Sequence, residues 1–82
     1  MNIGQRIKKI RNNLNITQEK LASKLFVTDK TVSSWELNRT EPNLEMIVKI
    51  SEVLDCSIGY LIYGDEKQND IETEIKIKIT FF

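Results

Sequence analysis

Apolar residues recur three and four positions apart through most of the chain and at every second position near its end. Ile3, Ile7, Ile10 and Leu14 form one stripe of a first helix, and Leu21, Ala22 and Leu25 the inner face of a second. Val32 and Trp35 are the inward pair of a third helix. Leu44, Ile47 and Leu54, with Ile50 or Val48, line a fourth, and Ile58, Leu61 and Ile62 a short fifth. Met46 and Val53 widen the fourth stripe beyond what one small core needs, so part of it is expected to face outward. In IETEIKIKITFF, residues 71–82, the period falls to two. Ile71, Thr73, Ile75, Ile77, Ile79 and Phe81 share one face, with Glu72, Glu74, Lys76, Lys78 and Thr80 on the other. That pattern and its β-branched content predict a strand.

The residues between these segments set the boundaries. Asn2, Thr17, Thr28, Asn43 and Ser57 stand where helix N-caps are wanted, and Gln5 completes a capping box with Asn2. NNLN at 12–15 and Asn38 end helices, because asparagine tolerates the left-handed region. Phe26-Val27 is a turn, Glu41-Pro42 a break, and GDEKQND at 64–70 a polar linker. The expected architecture is mostly α: a five-helix domain over residues 1–64, then a linker and one C-terminal β-strand over 65–82. A lone strand cannot satisfy its own backbone. Antiparallel pairing with a second copy, centred on Ile75, sets Glu74 opposite Lys76 and Glu72 opposite Lys78. Each such pair contributes roughly 0.2–1 kcal/mol, and the arrangement is its own two-fold operation. The strand predicts a homodimer held through Ile71, Ile75, Ile77 and Ile79; a frayed tail, or a strand folded back on the helices, is the alternative.

Composition narrows the function. Eighty-two residues allow one small core. The apolar runs are too short to span a bilayer, and MNIGQRIKK lacks the apolar core of a signal peptide, so no membrane association is expected. The single Cys56 cannot form an internal disulfide, which fits a reducing, cytoplasmic setting. With no histidine and one cysteine, the usual zinc ligand sets and the Ser–His and Cys–His pairs are missing, and no Gly-rich phosphate loop is present. No catalytic constellation, cofactor, metal or small-molecule ligand is evident. Net charge is zero but strongly polarised. Residues 1–40 carry eight Lys and Arg against three acids, a net +5, and residues 41–82 carry four against nine, a net −5. A chain built this way can set a basic face on a phosphate backbone.

The third helix turns Asp29, Lys30, Thr31, Ser33 and Ser34 outward, a run with almost no apolar contact to offer. An α-helix fits the major groove of DNA, where each base pair shows its own donor and acceptor pattern. Arg6, Lys8, Lys9 and Arg11 fall mostly off the apolar stripe of the first helix and are expected on solvated faces.

The stretch TQEKLASKLFVTDKTVSSWELNRTEP, residues 17–42, resembles the Cro/CI-type (lambda-repressor-like, XRE) helix-turn-helix family of phage and bacterial regulators. The resemblance rests on T-Q-x-x-L-A-x-x-L, then V-T-x-x-T-V-S-x-W-E, then N-x-x-x-P, and extends over about residues 3–65. It implies base contacts from Asp29, Lys30 and Ser34, with Ser33 on the same face. Gln18, Asn38 and Arg39 match phosphate-contacting positions, and Thr28 is expected to cap its helix and touch a phosphate. Arg11 matches an arginine that pairs with the carboxylate at Glu36, which would lock the third helix to the first and aim the arginine at a phosphate. A tail strand joining two subunits is similar to what Cro uses. Two positions depart from the pattern: Phe26 replaces a usual turn glycine, so that the turn is altered or the ring packs outward, and Asn38 replaces a common glycine. Cys56 is expected to fill core space, and Tyr60 and Tyr63 to lie at its edge. The resemblance implies a sequence-specific regulator, a repressor in the first instance, binding double-stranded DNA as a homodimer. The alternative is an antitoxin that binds a toxin partner and represses its own operon; a pure protein-interaction module is the more distant rival.

Overall fold

The computed structural model of the chain describes residues 2–64. Five helices follow one another: α1 Ile3–Asn13, α2 Gln18–Leu25, α3 Asp29–Glu36, α4 Leu44–Leu54 and α5 Ile58–Tyr63. Among the described residues there is no strand. The strand expected over the tail, with Ile71, Ile75, Ile77 and Ile79, lies outside them. No helix among them is long and apolar enough to cross a membrane.

Each helix starts by the same chemistry. Asn2, Thr17, Thr28, Asn43 and Ser57 are extended, and each side chain accepts a hydrogen bond from the backbone N–H three residues on. The Asn2–Gln5 pair closes in both directions, at 2.9 and 3.1 Å. The first N–H groups of a helix have no intrahelical partner, so such a cap contributes about 1 kcal/mol. The ends are equally local. Asn15, Asn38 and Asp55 take positive φ near +50° to +60°, and Gly64 lies at φ +72°. Phe26 also takes a left-handed φ of 58°, where glycine fits best, and its ring is 95% exposed. The turn therefore keeps the geometry of a glycine turn with a phenyl ring facing outward.

Ile7, Leu21, Ala22, Leu25, Val32, Trp35, Ile47, Ile50, Leu54 and Leu61 form one core to which every helix contributes. Ile50, wholly buried, and not the half-buried Val48, is the fourth-helix stripe residue. Met46, Val53 and Cys56 pack half-buried against the core. Tyr60 is half-buried and Tyr63 exposed. Gly4 lets α1 meet α3: a methyl group there would overlap the Trp35 carbonyl oxygen, so only a missing side chain allows the approach.

Five expectations from the pattern are corrected. Leu14, Leu44 and Ile62 were assigned to buried stripes but are 47%, 65% and 36% exposed. Leu14 caps α1 after its last helical residue, Leu44 opens α4, and Ile62 lies in the final turn of α5. At such ends the periodic stripe outruns the surface that covers it. Arg11, expected on a solvated face, is 8% exposed, and Arg6, expected in solvent, is 6% exposed. Its Nε donates to the Leu61 carbonyl and Nη2 to that of Ile62, both at 2.7 Å. The guanidinium thus satisfies carbonyls at the C-terminal end of α5, which have no helical partner. Gly64 fits against the same side chain, since a β-carbon there would come within 2.9 Å of Nη1.

Candidate nucleic-acid interface

Helices α2 and α3, joined through Phe26-Val27-Thr28, form the helix-turn-helix unit. Leu21, Ala22, Leu25, Val32 and Trp35 bury its inner faces, which fixes the outer face of α3 by geometry. That face carries Asp29 and Lys30, both exposed, in the first turn, and half-buried Ser33 and Ser34 one turn on. An α-helix with its side chains is about 10–12 Å across, well matched to a groove about 12 Å wide.

The first turn of α3 is tied down before any partner arrives. Thr28 Oγ1 accepts from the Thr31 N–H at 3.2 Å and lies 3.0 Å from the Thr31 hydroxyl. Asp29 Oδ1 accepts from the Lys30 N–H at 2.9 Å. The carboxylate is exposed at the N-terminal end of the helix and keeps further acceptor capacity. Lys30, exposed in the same turn, adds up to three donors.

Behind this face, α3 is clamped to α1. Arg11 Nε donates to Glu36 Oε2 at 2.7 Å and Nη2 to Oε1 at 2.9 Å, a two-point pair. Arg11 and Glu36 are both 8% exposed. Arg11 Nη1 also donates to the Ile16 carbonyl at 2.8 Å, so one guanidinium ties α1, the loop before α2, and α3 together. The Glu36 hydrogen bond holds the guanidinium above its ordinary range, against the opposing effect of burial. Gln18, in the first turn of α2, adds a third donor: its Nε2 reaches Glu36 Oε1 at 3.0 Å.

The far end of α3 carries the other expected contacts. Asn38 donates its N–H to the Trp35 carbonyl and Arg39 to that of Ser34, at 3.0 and 2.9 Å. This folds the loop over the end of the helix and leaves both side chains exposed. Ser34 Oγ lies 2.8 Å from Thr40 Oγ1. The expected residues fall into two groups. Asp29, Lys30, Ser33 and Ser34 line the outward face, with Thr28 at its start and Asn38 and Arg39 past its end; Arg11, Glu36 and Gln18 meet behind it. Sequence reasoning missed Arg6, Gly4 and Thr40. Only Thr40 left a trace, as a hydroxyl six residues beyond Ser34 with a helix stop between them.

Comparison with known proteins agrees with this geometry. A helix-turn-helix family model matches residues 7–61. Repressor protein C2 of Salmonella phage P22 is 38% identical over 69 residues, which cover 84% of this chain and 32% of that protein. The transcriptional regulator DicA of Escherichia coli K12 is 39% identical over 66 residues, covering 80% of this chain and 49% of DicA. The chain thus spans less than half the length of either relative. The crystal structure of the P22 c2 repressor in complex with a synthetic operator superposes with a TM-score of 0.76 at 38% identity, over 79% of this chain and 98% of that one.

Proposed function

The chain belongs to the Cro/CI-type helix-turn-helix family, and from that membership we propose that it is a transcriptional repressor that reads a two-fold symmetric operator as a homodimer. The observation that carries the reading is the outward face of α3. Buried side chains hold that helix from behind, while Asp29 and Lys30 are exposed and Ser34 half-buried on the other side. Lys30 donates to guanine O6 or N7, Asp29 accepts from cytosine N4, and Ser34 bonds a base edge beside them. One correct contact of this kind carries roughly 1–3 kcal/mol of discrimination.

Gln18 and Thr28 on one side, and Asn38 and Arg39 on the other, hold the flanking phosphates and fix the register without reading sequence. Arg11 braces α3 through Glu36, and the family resemblance assigns its remaining N–H groups to the same backbone. The positive half of the chain meets the DNA and the negative half faces away. Two copies paired through the strand at Ile71, Ile75, Ile77 and Ile79 set their α3 helices in successive major grooves, about 34 Å apart. Bound there in the cytoplasm, the dimer represses by excluding polymerase.

Selection of duplexes from a random library at near-physiological salt tests this, since weak salt would inflate non-specific binding. The expected product is an inverted repeat with half-sites about one helical turn apart. A single unrepeated half-site would remove the dimer and keep the reader. A library that emerges unenriched would overturn the proposal.

A further inference from the structure

The Ser34–Thr40 contact links the face of α3 to the loop beyond it. The loop is folded back by backbone first: the Arg39 and Thr40 N–H groups both point at the Ser34 carbonyl, at 2.9 and 3.5 Å. That fold brings the Thr40 hydroxyl to 2.8 Å from the Ser34 hydroxyl. Ser34 is half-buried on the helix, and Thr40 is exposed beside Arg39.

A hydroxyl has one proton and two lone pairs. In a pair of hydroxyls one must donate to the other, and whatever the outer member binds decides which. A DNA phosphate accepts hydrogen bonds and donates none. If a phosphate oxygen lies against the loop of Asn38, Arg39 and Thr40, the Thr40 proton goes to it. Thr40 can then only accept from Ser34, and the single proton of Ser34 is committed to Thr40. Ser34 is left with lone pairs alone toward the base.

We infer that Thr40 is a positioning residue that converts a phosphate contact into the sign of base reading: on DNA, Ser34 acts as an acceptor and selects a base bearing an exocyclic amine, cytosine through N4 or adenine through N6. The inference rests on the α3 reading proposed above. It also narrows that reading, because an unpaired serine would read donors and acceptors alike. Backbone and base contacts are usually separable; here one hydrogen bond joins them.

The same library selection, run on the full chain and on Ser34→Ala, Thr40→Val and Thr40→Ser, tests it. Ser34→Ala identifies the base pair in each half-site that Ser34 reads. At that position the unaltered protein is expected to favour cytosine or adenine by about tenfold, the lower range for one base contact. Thr40→Val keeps the shape of the side chain and removes its hydroxyl. It is expected to admit guanine and thymine at that one position, with other positions unchanged, because the Ser34 proton is released. Thr40→Ser is expected to restore the preference. Thr40 is exposed, so thermal unfolding of both Thr40 variants should match the parent and exclude misfolding as the cause. The relay is overturned if Thr40→Val keeps the preference, if the preferred base is guanine or thymine, or if Ser34→Ala changes no position. In each case the repressor reading survives. A failure of the unaltered chain to enrich any sequence would overturn both.

Discussion

Arg6 and Arg11 stand on the same helix, are 6% and 8% exposed, and are held by different chemistry. Arg11 meets the carboxylate of Glu36 with two nitrogens and a backbone carbonyl with a third. Arg6 sends Nε and Nη2 to two carbonyls at the end of α5. The first arrangement joins α1 to α3, the helix whose outer face is proposed to read DNA. The second joins α1 to the helix from which the chain continues toward its tail. A buried charge is costly unless fully partnered, so each arginine fixes its neighbour in one orientation. One end of α1 fixes α3, the helix proposed to read DNA, and the other end fixes the close of α5.

The sharpest way to break the comparison is to remove Glu36. Glu36→Ala leaves the Arg11 guanidinium buried without its carboxylate, a loss of about 3–5 kcal/mol. In a domain of this size that is most of the stability, so urea unfolding should show a large fall in midpoint or no folded baseline. An unfolding curve close to the parent's would mean that Arg11 swings into water and that the clamp is dispensable. The arginine itself adds no pH dependence near neutrality. Its folded-state pKa is raised, so its contribution is complete below the unfolded value and is lost only as pH climbs through the higher folded one.

Arg6→Met, which keeps the apolar stem and deletes the donors, is expected to cost less, about 1.5–3 kcal/mol for the charged hydrogen bonds. The more telling readout is where the loss appears. Hydrogen exchange should speed up in α5, near Leu61 and Ile62, while α2 and α3 keep their protection. Equal loss in all five helices would show that the two arginines do not divide the domain as described.

The contrast also shows what the sequence could reveal. The Arg11–Glu36 pair joins two side chains, and the resemblance to known regulators supplies the spacing at which they meet. The partners of Arg6 are backbone carbonyls more than fifty residues away. Any sequence supplies carbonyls, so nothing marked Leu61 and Ile62 as acceptors. The same divide runs through the fold. All five N-caps were legible because a cap depends on a residue and its neighbour three places on. Leu14 and Leu44 misled because periodicity gives the direction of a side chain and not the extent of the surface that covers it. Gly4 looked like an ordinary helix residue; the Trp35 carbonyl that excludes a methyl group there comes from another helix. The outward face of α3 was legible by subtraction, once Val32 and Trp35 were assigned inward.

The smallest effect separates two roles of one residue. Gln18 Nε2 donates to the same Glu36 oxygen that Arg11 Nη2 already reaches, at 3.0 Å against 2.9 Å. Gln18→Ala therefore removes one part-buried bond to the carboxylate and leaves the charged pair intact, a loss of about 1.5 kcal/mol in unfolding free energy, the low end for a bond to a charged group. If Gln18 also holds a phosphate, binding to every DNA sequence should weaken together while sequence preference persists. Because the clamp lies behind α3 and Gln18 carries no charge, neither the stability loss nor the binding defect should change much with salt. A binding defect with unaltered stability would assign Gln18 to the phosphate alone, leaving a clamp made by two side chains and one carbonyl. Lost stability with unaltered binding would assign it to the clamp, and α2 would then touch the backbone only through its N-terminal N–H groups.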